Sequence, residues 1–394
     1  MRAVTVYLLL LTTILILLYC ATATIAQERP RIVRAPDQQL SPNTTPQPDD
    51  IVRIRTRVVF IDALVKDQKA NEPVRNLTSK DFQVLDEGQP RSLSYFTREG
   101  DSRRPLALLL FIDLWSQYGK SLLKSDDAMR RLASAFTKLA PEDEVAVMVT
   151  WIEEGQAPGT PLPTTRMIAD FTRNRAKTTD ALLSIPELMK QQENLMEELA
   201  EKRSQDVGDL RLDVIWRLPE VAGVIIPLAA RFPKSQLVVV GLIDDLFDLK
   251  KGEREAAVAE ALRANIIFDG LIFKKSFATR IFFGTFNKIF MSPRGLSVHA
   301  ADYLAKETGG EVVNVGRPDD LATGLERFVT DLTARYNLGF ALREDEKDDG
   351  RMHQLDLRVK ALDAKGKQRK LEVSARRGYY MPKSEADRTS ATVK

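Results

Sequence analysis

The stretch that decides the fold is PLALLLFIDLWSQYGKS, residues 105–121. An apolar run that starts at Leu106 leads directly into Asp113, as in a parallel strand buried on both faces. The residues that follow are neither a glycine-rich phosphate loop nor the glycine-flanked serine of a hydrolase. The stretch therefore predicts a central strand whose carboxyl end brings one acidic side chain to a surface crevice.

Strands and helices alternate on the carboxyl side of this stretch. The segments DEVAVMVTW, SQLVVVGLIDD and IIFDGLIF predict further buried strands, and amphipathic helical segments separate them. Such alternation is typical of a mainly parallel sheet covered by helices on both faces. We predict an α/β fold with a doubly wound, mainly parallel sheet over residues 101–336.

The residues on either side of this region have the period of two that β-strands show. Residues 51–100 predict a β-rich leader domain, and residues 337–382 predict three further strands. Because three strands make a thin sheet alone, we expect the two segments to pack together as a β-sandwich. The α/β domain is then inserted in this sandwich or followed by it. The polar residues 383–394 predict a disordered tail.

Residues 186–211 interrupt the alternation with a charged helix that carries leucine and methionine on one side. The apolar side either binds a helical partner or packs on the helix's own domain, which is the commoner use of such a face. Because the neighbouring strands are complete without it, we expect this insertion to be dispensable for folding.

The N-terminus predicts export. Residues 1–26 combine a basic residue, an apolar run and small residues, which indicates a signal peptide or, if uncleaved, a membrane anchor. The proline-rich residues 27–50 predict an extended linker. Cys20, the only cysteine, lies in the first segment, so the mature chain has no disulfide or thiolate metal site. We expect a periplasmic or secreted protein that contacts membrane only through this segment.

Composition limits the class of partner. The formal net charge is only +3 over 394 residues, and the basic residues are scattered. A nucleic-acid-binding protein needs a concentrated basic surface, so we expect no nucleic-acid partner.

Several segments in order resemble a known family. VVFIDALVKDQKANEPVRNLTSKDFQVLDEGQPRSLSYF, LALLLFID, LVVVGLIDD and VSARRGYYMP are similar to the leader, strands and end of bacterial exported proteins related to von Willebrand factor A, of the type found in acidobacteria. The similarity covers roughly residues 52–382. The resemblance implies the A-domain fold, protein binding or adhesion, and a site for one divalent cation.

In that family Asp-x-Ser-x-Ser, a distant threonine and a second aspartate hold Mg²⁺ or Mn²⁺ through hard oxygen ligands. By this resemblance Asp113 is the first metal ligand. Asp245 is the better match for the second, with Asp244 one residue earlier.

The expected hydroxyl ligands are missing from the pattern. Trp115 and Gln117 stand at the two serine positions, Ser116 is one position away, and the threonine has no match. We therefore predict a degenerate site that holds no cofactor, with Mg²⁺ or Mn²⁺ as the alternative. Its two aspartates then accept hydrogen bonds from neighbouring loops.

Trp115, Ser116 and Gln117 are the candidate ligand-binding residues, because ligands of α/β folds bind at the carboxyl ends of the strands. A tryptophan there either anchors a partner or packs against its own loop. Only two histidines, His299 and His353, are present, and neither accompanies a nucleophile motif. We therefore expect a protein that is not an enzyme.

The sequence leaves three functions open. The first is a protein-binding or adhesion module of the cell envelope, with an unknown protein partner. The second is a structural component that acts by self-association, and the third is a residual Mg²⁺-dependent adhesin.

Overall fold

The computed structural model describes residues 57–98, 105–208, 218–232, 236–244, 251–273, 300–346, 348–362 and 366–381. The predicted signal segment, linker and tail lie outside these residues. Among the described residues, no helix has both the length and the apolar character needed to cross a membrane.

The strands occur in three groups along the chain. They are β1 (Val58–Asp67), β2 (Phe82–Asp86), β3 (Gln89–Arg91), β4 (Tyr95–Thr97), β5 (Leu106–Ile112), β6 (Glu144–Glu154), β7 (Pro161–Thr172), β8 (Gln236–Ile243), β9 (Ile266–Phe273), β10 (Val312–Val315), β11 (Tyr336–Ala341), β12 (Met352–Val359), β13 (Leu371–Ser374) and β14 (Gly378–Tyr380).

The α-helices of the described residues lie between β5 and β11. They are α1 (Lys120–Leu123), α2 (Asp126–Ser134), α3 (Arg175–Leu183), α4 (Ile185–Arg203), α5 (Leu218–Ala229), α6 (Lys251–Arg263), α7 (Ala300–Thr308) and α8 (Pro318–Thr333). Short 3-10 helices occur at Ser79–Asp81 and Ala135–Lys138.

The stretch quoted above forms the middle of a six-stranded sheet. All seven residues of β5 are buried, and it pairs in parallel with β6 on one side and β8 on the other. The strand order is β10-β9-β8-β5-β6-β7, and only the edge strand β7 is antiparallel to its neighbour. A strand covered on both faces by hydrophobic layers has no polar face to present, which explains its uninterrupted apolar sequence.

Two hydrophobic clusters cover the two faces of this sheet. Met129 of α2, Leu182 of α3 and Phe328 of α8 pack on one face. Val258 of α6 and Leu304 of α7 pack on the other. The α/β fold class with a mainly parallel, doubly covered sheet is therefore confirmed.

Two antiparallel four-stranded sheets combine strands from before and after the α/β region. Their orders are β13-β1-β11-β4 and β14-β12-β2-β3. Strand β1 pairs with β11 over Val58–Ala63 and with β13 over Leu64–Asp67. Strand β2 pairs with β12 in the second sheet. Both sheets contribute to one buried cluster, so the β-strands on the two sides of the α/β region share a core.

A buried ion cluster links β1 to the α/β region. Lys66 is 2% exposed, and its ammonium lies 2.7 Å from Glu311 and 2.6 Å from Asp331. Arg327 donates to the other oxygen of Glu311 at 2.6 Å. Burial raises the pKa of Asp331, whereas at Glu311 the attraction of Lys66 and Arg327 outweighs burial and lowers the pKa. The cluster joins a strand of the antiparallel sheets to helix α8 and to the residue before β10.

The Lys66 cluster generates a stability prediction. Lys66→Ala removes the buried cation and leaves two neighbouring carboxylates desolvated, so we expect a loss of about 3–5 kcal/mol in the free energy of unfolding. Urea unfolding followed by circular dichroism measures it. Lys69→Ala, at an exposed position of the next turn, is the matched control and should change stability by less than about 0.5 kcal/mol. Equal effects of the two substitutions would contradict the role of the cluster.

Candidate functional site: the crevice at the carboxyl end of β5

The crevice is built by three adjacent strands that end at the same edge of the sheet. Ile112 of β5 lies opposite Val149 of β6 and Leu242 of β8. The next residue, Asp113, donates its backbone N–H to the Leu242 carbonyl at 2.9 Å. This register brings Asp113, Thr150 and Asp244 together at the carboxyl end of β5.

The carboxylate of Asp113 accepts two hydrogen bonds from its own surroundings. One oxygen, Oδ1, receives the backbone N–H of Trp115 at 3.0 Å and the hydroxyl of Thr150 at 2.9 Å. The Thr150 oxygen in turn accepts the N–H of Leu114 at 2.9 Å. Thr150 therefore fixes both the acid and the loop that follows it.

The carboxylate of Asp244 is held in the same way. Its Oδ1 accepts the Ser116 hydroxyl at 2.6 Å, and its Oδ2 accepts the backbone N–H of Gln117 at 2.7 Å. The Ser116 oxygen accepts the N–H of Gly119 at 2.7 Å. The loop after β5 thus folds around the second acid.

The two acids influence each other. Burial and, to a smaller extent, the negative charge of Asp244 raise the pKa of Asp113 to about 7, although the hydrogen bonds from Trp115 and Thr150 act to lower it. The pKa of the Tyr118 hydroxyl is also raised, first by burial and then by Asp244. When two carboxylates lie close together and are partly buried, the state in which both are ionised is disfavoured.

Helix α4 lies over the loop and covers its tryptophan. The Trp115 ring is 8% exposed and packs in a cluster with Ile152 of β6 and with Met196, Leu199 and Ala200 of α4. The Gln192 side chain accepts the N–H of Ile152 at 2.6 Å and donates to its carbonyl at 3.2 Å. The helix is therefore bound to the end of β6 by both apolar and polar contacts.

Salt bridges attach the same helix to the other end of the loop. Glu193 pairs with Lys120 and Lys124, each at 2.5 Å. The apolar side of α4 packs on its own domain, which is one of the two alternatives that the sequence left open. Because Met189, Met196 and Leu199 are buried, the contacts predict that the helix is needed for stability. The expected dispensability of residues 186–211 is not supported by this packing.

The predicted site residues have different positions around the crevice. Asp113 is at the end of β5 as expected. Asp245 lies outside the described residues, and Asp244 is the second acid that the described crevice contains. Ser116 is 2% exposed and bonded to Asp244, whereas Gln117 is exposed. The ligand-binding roles of Trp115, Ser116 and Gln117 stay predictions, and of these three side chains only that of Gln117 faces solvent.

Sequence reasoning missed two polar residues that organise this place. Thr150 and Gln192 are buried and bind the loop after β5 and the end of β6. The available signal for Thr150 was a hydroxyl in an otherwise apolar strand at the same level as Asp113. The available signal for Gln192 was an amide between Met189 and Met196 on the apolar side of a helix.

The geometry does not fit a hard divalent cation. Such an ion takes about six oxygen ligands. Here the hydroxyls of Ser116 and Thr150 direct their protons at the two carboxylates, and their lone pairs already accept backbone N–H groups. Within the described ranges, no cluster of three or more histidine, cysteine or acidic side chains has metal-binding geometry. A cation would have to compete with these hydrogen bonds for the same oxygens.

Of the two histidines, only His353 belongs to the described residues, and it lies away from this crevice. His299 lies outside the described residues. His353 is buried in the second antiparallel sheet, where its Nε2 lies 3.1 Å from Asp349 and its ring lies 5.1 Å from that of Tyr379. These contacts are those of a core histidine.

Comparison with known proteins gives likeness of fold. No family model and no curated protein matches the chain. Among solved structures it is similar to a von Willebrand factor type A protein from Catenulispora acidiphila, with 11% identity, 75% of this chain and 72% of that chain covered, and a TM-score of 0.36. It is also similar to the SpRpn10 VWA domain, with 11% identity, 58% of this chain and 94% of that domain covered, and a TM-score of 0.31.

A third similar structure is the pilus adhesin SpaC from Lactobacillus rhamnosus GG. The identity is 7%, with 79% of this chain and 49% of the adhesin covered, and the TM-score is 0.34. At these identities and TM-scores the similarities carry no argument about this chain. The described residues themselves form an α/β fold with a mainly parallel six-stranded sheet and two additional antiparallel sheets.

The contact between α4 and Trp115 generates a second prediction. Met196→Ala removes a fully buried side chain above the ring and should lower the free energy of unfolding by about 2–4 kcal/mol. Because water then reaches Trp115, tryptophan emission should shift to longer wavelength in the folded protein. Met352→Ala, at a 37% exposed position, is the control that should change neither quantity appreciably. An unshifted emission spectrum with unchanged stability would contradict the packing described.

The hydrogen bonds of the two acids generate a third prediction. Calorimetric titration of Mg²⁺ or Mn²⁺ into the protein should show no binding at millimolar concentration, because the cation gains too few oxygens over bulk water. Variants Asp113→Ala, Asp244→Ala and Asp245→Ala should give the same flat titration. A micromolar dissociation constant that any of these substitutions abolishes would show that the site is a working cation site.

Proposed function

We propose that the chain is an exported member of the von Willebrand factor A-like proteins, related to the acidobacterial type, that binds another protein in the cell envelope without a metal ion. The binding face is the loop after β5 at the carboxyl end of the central sheet. Export is supported by the apolar and small residues of segment 1–26, with anchoring through the same segment as the alternative.

The observation that carries this proposal is that the loop after β5 is held by hydrogen bonds while Gln117 and Tyr118 within it remain exposed or half-exposed. At one end of residues 113–119 the Leu114 N–H donates to Thr150, and toward the other end the N–H groups of Gln117 and Gly119 donate to Asp244 and Ser116. Helix α4 packs behind this loop. The Gln117 side chain is nevertheless exposed, and Tyr118 is half-exposed. A loop already held in one conformation loses little entropy when a partner binds, so it suits recognition.

Trp115 has a supporting role in this proposal. Its ring lies under α4 and keeps the backbone of Ser116 and Gln117 in place. Contact with the partner falls to Gln117, Tyr118 and the exposed parts of Lys120 and Lys124, which are 43% and 40% exposed. Both lysines bind Glu193, so the face offers a mixed polar surface around a half-exposed aromatic ring.

A role in binding agrees better with this crevice than catalysis does. The hydroxyls of Ser116 and Thr150 donate to carboxylates and accept backbone N–H groups, and both residues are buried, so neither is accessible to a substrate as a nucleophile. The described histidine, His353, is buried elsewhere. We therefore propose a protein that is not an enzyme and that needs no cofactor.

Site-specific photo-crosslinking tests the proposal. A photoreactive amino acid at Gln117 should give one discrete crosslinked product with a second protein in the cell envelope, and EDTA should leave this product unchanged. The same group at Gln83, an exposed glutamine of β2, is the matched control and should give no such product.

The alternatives predict different products. A crosslinked pair of copies of this chain would support the structural, self-associating function. A product that EDTA abolishes would support the residual Mg²⁺-dependent adhesin. No product from Gln117, or equal products from both positions, would overturn binding at this loop.

A further inference from the structure

The end of β12 and the start of β13 are joined as a hairpin, and the two strands separate with distance from this hairpin. The Arg369 N–H donates to the Ala361 carbonyl at 2.9 Å, and Leu362 bridges Gln368. Beyond this point β12 joins β2 in one sheet, whereas β13 joins β1 in the other. The separation leaves a cleft between two strand edges.

The direction of neighbouring hydrogen bonds shows which backbone groups face the cleft. Lys360 donates to Asp81 on the β2 side, and Leu355 donates to the Arg377 carbonyl on the opposite side. Successive residues of a strand point their backbone N–H and C=O groups to opposite sides. The N–H and C=O of Leu357 therefore point away from β2, as those of Leu355 do. On β13, the Lys370 carbonyl accepts the Gln68 N–H and therefore points toward β1. By the same alternation, the N–H and C=O of Val373, three residues later, point away from β1. Within the described residues, neither Leu357 nor Val373 has a strand partner on this side.

The cleft opens into a cavity of about 520 Å³. Its lining includes Leu357 and Val373 from the strands and four charged residues, which are Glu307, Asp356, Arg376 and Arg377. This volume lies within the range of about 300–1,000 Å³ that is usual for ligand sites. The cavity shares no residue with the crevice at the end of β5.

Arg376 is the unusual member of this lining. Its guanidinium donates to the carbonyl of Phe60 and to the side chain of Asn265, the latter at 3.3 Å. Its Nε is buried and has no hydrogen-bond partner among the described residues. No described carboxylate lies within ion-pair distance, and Asp62 acts on it only from farther away. A desolvated cation without a paired anion is costly, and a bound carboxylate would relieve that cost.

The wall that carries this arginine is fixed in place. Gly309 has a φ of +84°, and a Cβ there would lie 2.7 Å from the backbone N of Arg376. Arg377 donates its N–H to the Glu307 carbonyl at 3.1 Å, and Arg335 donates to the Gly309 carbonyl at 2.7 Å. The glycine therefore lets residues 375–377 close against the end of α7.

The lining offers an acidic ligand two arginines, Arg376 and Arg377, and also contains the acids Glu307 and Asp356. Both acids already lie beside a basic side chain, since Glu307 is 3.4 Å from Arg377 and Asp356 is 2.7 Å from Arg358. Arg377 stands at the rim, with its side chain 61% exposed and 3.4 Å from Glu307. An acidic ligand is therefore attracted to the rim and can place a carboxylate beside Arg376.

We propose that this cavity binds an extended acidic peptide segment of a partner protein. The open backbone groups of Leu357 and Val373 pair with the peptide backbone, as when a strand is added to a sheet edge. One acidic side chain of the peptide enters the cavity and bonds to Arg376, and Arg377 binds a second at the rim. This site is additional to the proposed loop after β5 and does not depend on it.

Fluorescence anisotropy with defined peptides tests the proposal. The probe is a labelled octapeptide of alternating glutamate and threonine, and the control peptide has glutamine in place of glutamate. We expect saturable binding of the acidic peptide and at least tenfold weaker binding of the glutamine peptide. Free glutarate is the third probe and should compete only weakly, because it lacks a peptide backbone.

Four variants of the full chain separate this site from general charge attraction. Arg377→Gln and Arg376→Gln should each weaken binding of the acidic peptide at least fivefold, and Asp356→Asn should strengthen it by removing a like charge from the lining. Lys360→Gln is the matched control, since Lys360 is exposed directly after β12 and outside the cavity lining, and should leave binding unchanged. Circular dichroism establishes folding of each variant, and Arg377→Gln, at an exposed position, decides the test if Arg376→Gln does not fold.

Three outcomes would overturn the proposal. They are no binding of the acidic peptide at millimolar concentration, equal binding of the two peptides, and an equal loss for Lys360→Gln and Arg377→Gln. Competition by glutarate as strong as that by unlabelled peptide would show a simple anion site and would also overturn it.

Discussion

The structure depends on the requirement that a buried charge has a partner, and the Lys66 cluster is where this requirement joins the parts of the molecule. Its ammonium, 2% exposed, lies within 2.7 Å of Glu311 and Asp331. Lys66 belongs to the first strand, and its partners belong to the far edge and last helix of the α/β region. An ion cluster of this kind is stable only when all its members are in place. It therefore fixes how the antiparallel sheets meet the α/β region.

The same requirement explains the crevice at the carboxyl end of β5. Two aspartates lie there, and four N–H and O–H groups donate hydrogen bonds to them. The donors come from the loop itself and from β6, so the acids hold the loop in place. Arg376 in the second cleft is the opposite case, since its guanidinium has carbonyl and amide partners but no paired carboxylate among the described residues. This contrast supports the two proposals, a binding face without a metal ion at the first place and an acidic ligand at the second.

Much of the fold could be predicted because its signal is local. The apolar run from Leu106 to Ile112 has no polar position, and this pattern alone indicates a central parallel strand. The alternation in residues 58–67 and 352–359 likewise indicates strands with one buried face. The mixed order of the two antiparallel sheets carries no such signal, because a strand's sequence shows which face is buried and not which strand lies beside it.

The details of the crevice were less accessible to sequence reasoning for a physical reason. Ser116 and Thr150 reach the two acids from positions that no linear pattern aligns, since one is a loop residue and the other belongs to a neighbouring strand. The covering of Trp115 by α4 depends on how that helix returns over the sheet. These contacts follow from tertiary packing, which a spacing along the chain does not encode.

The central claim is that the antiparallel sheets and the α/β region form one cooperative structure joined at Lys66. Native-state hydrogen exchange, measured by mass spectrometry over a series of denaturant concentrations, tests it most directly. The amides of β1 and β11 should exchange through the same global opening as those of β8 and β9, with the same free energy and denaturant dependence. Exchange of β1 and β11 through a separate opening of clearly lower free energy, while β8 and β9 stay protected, would contradict the claim.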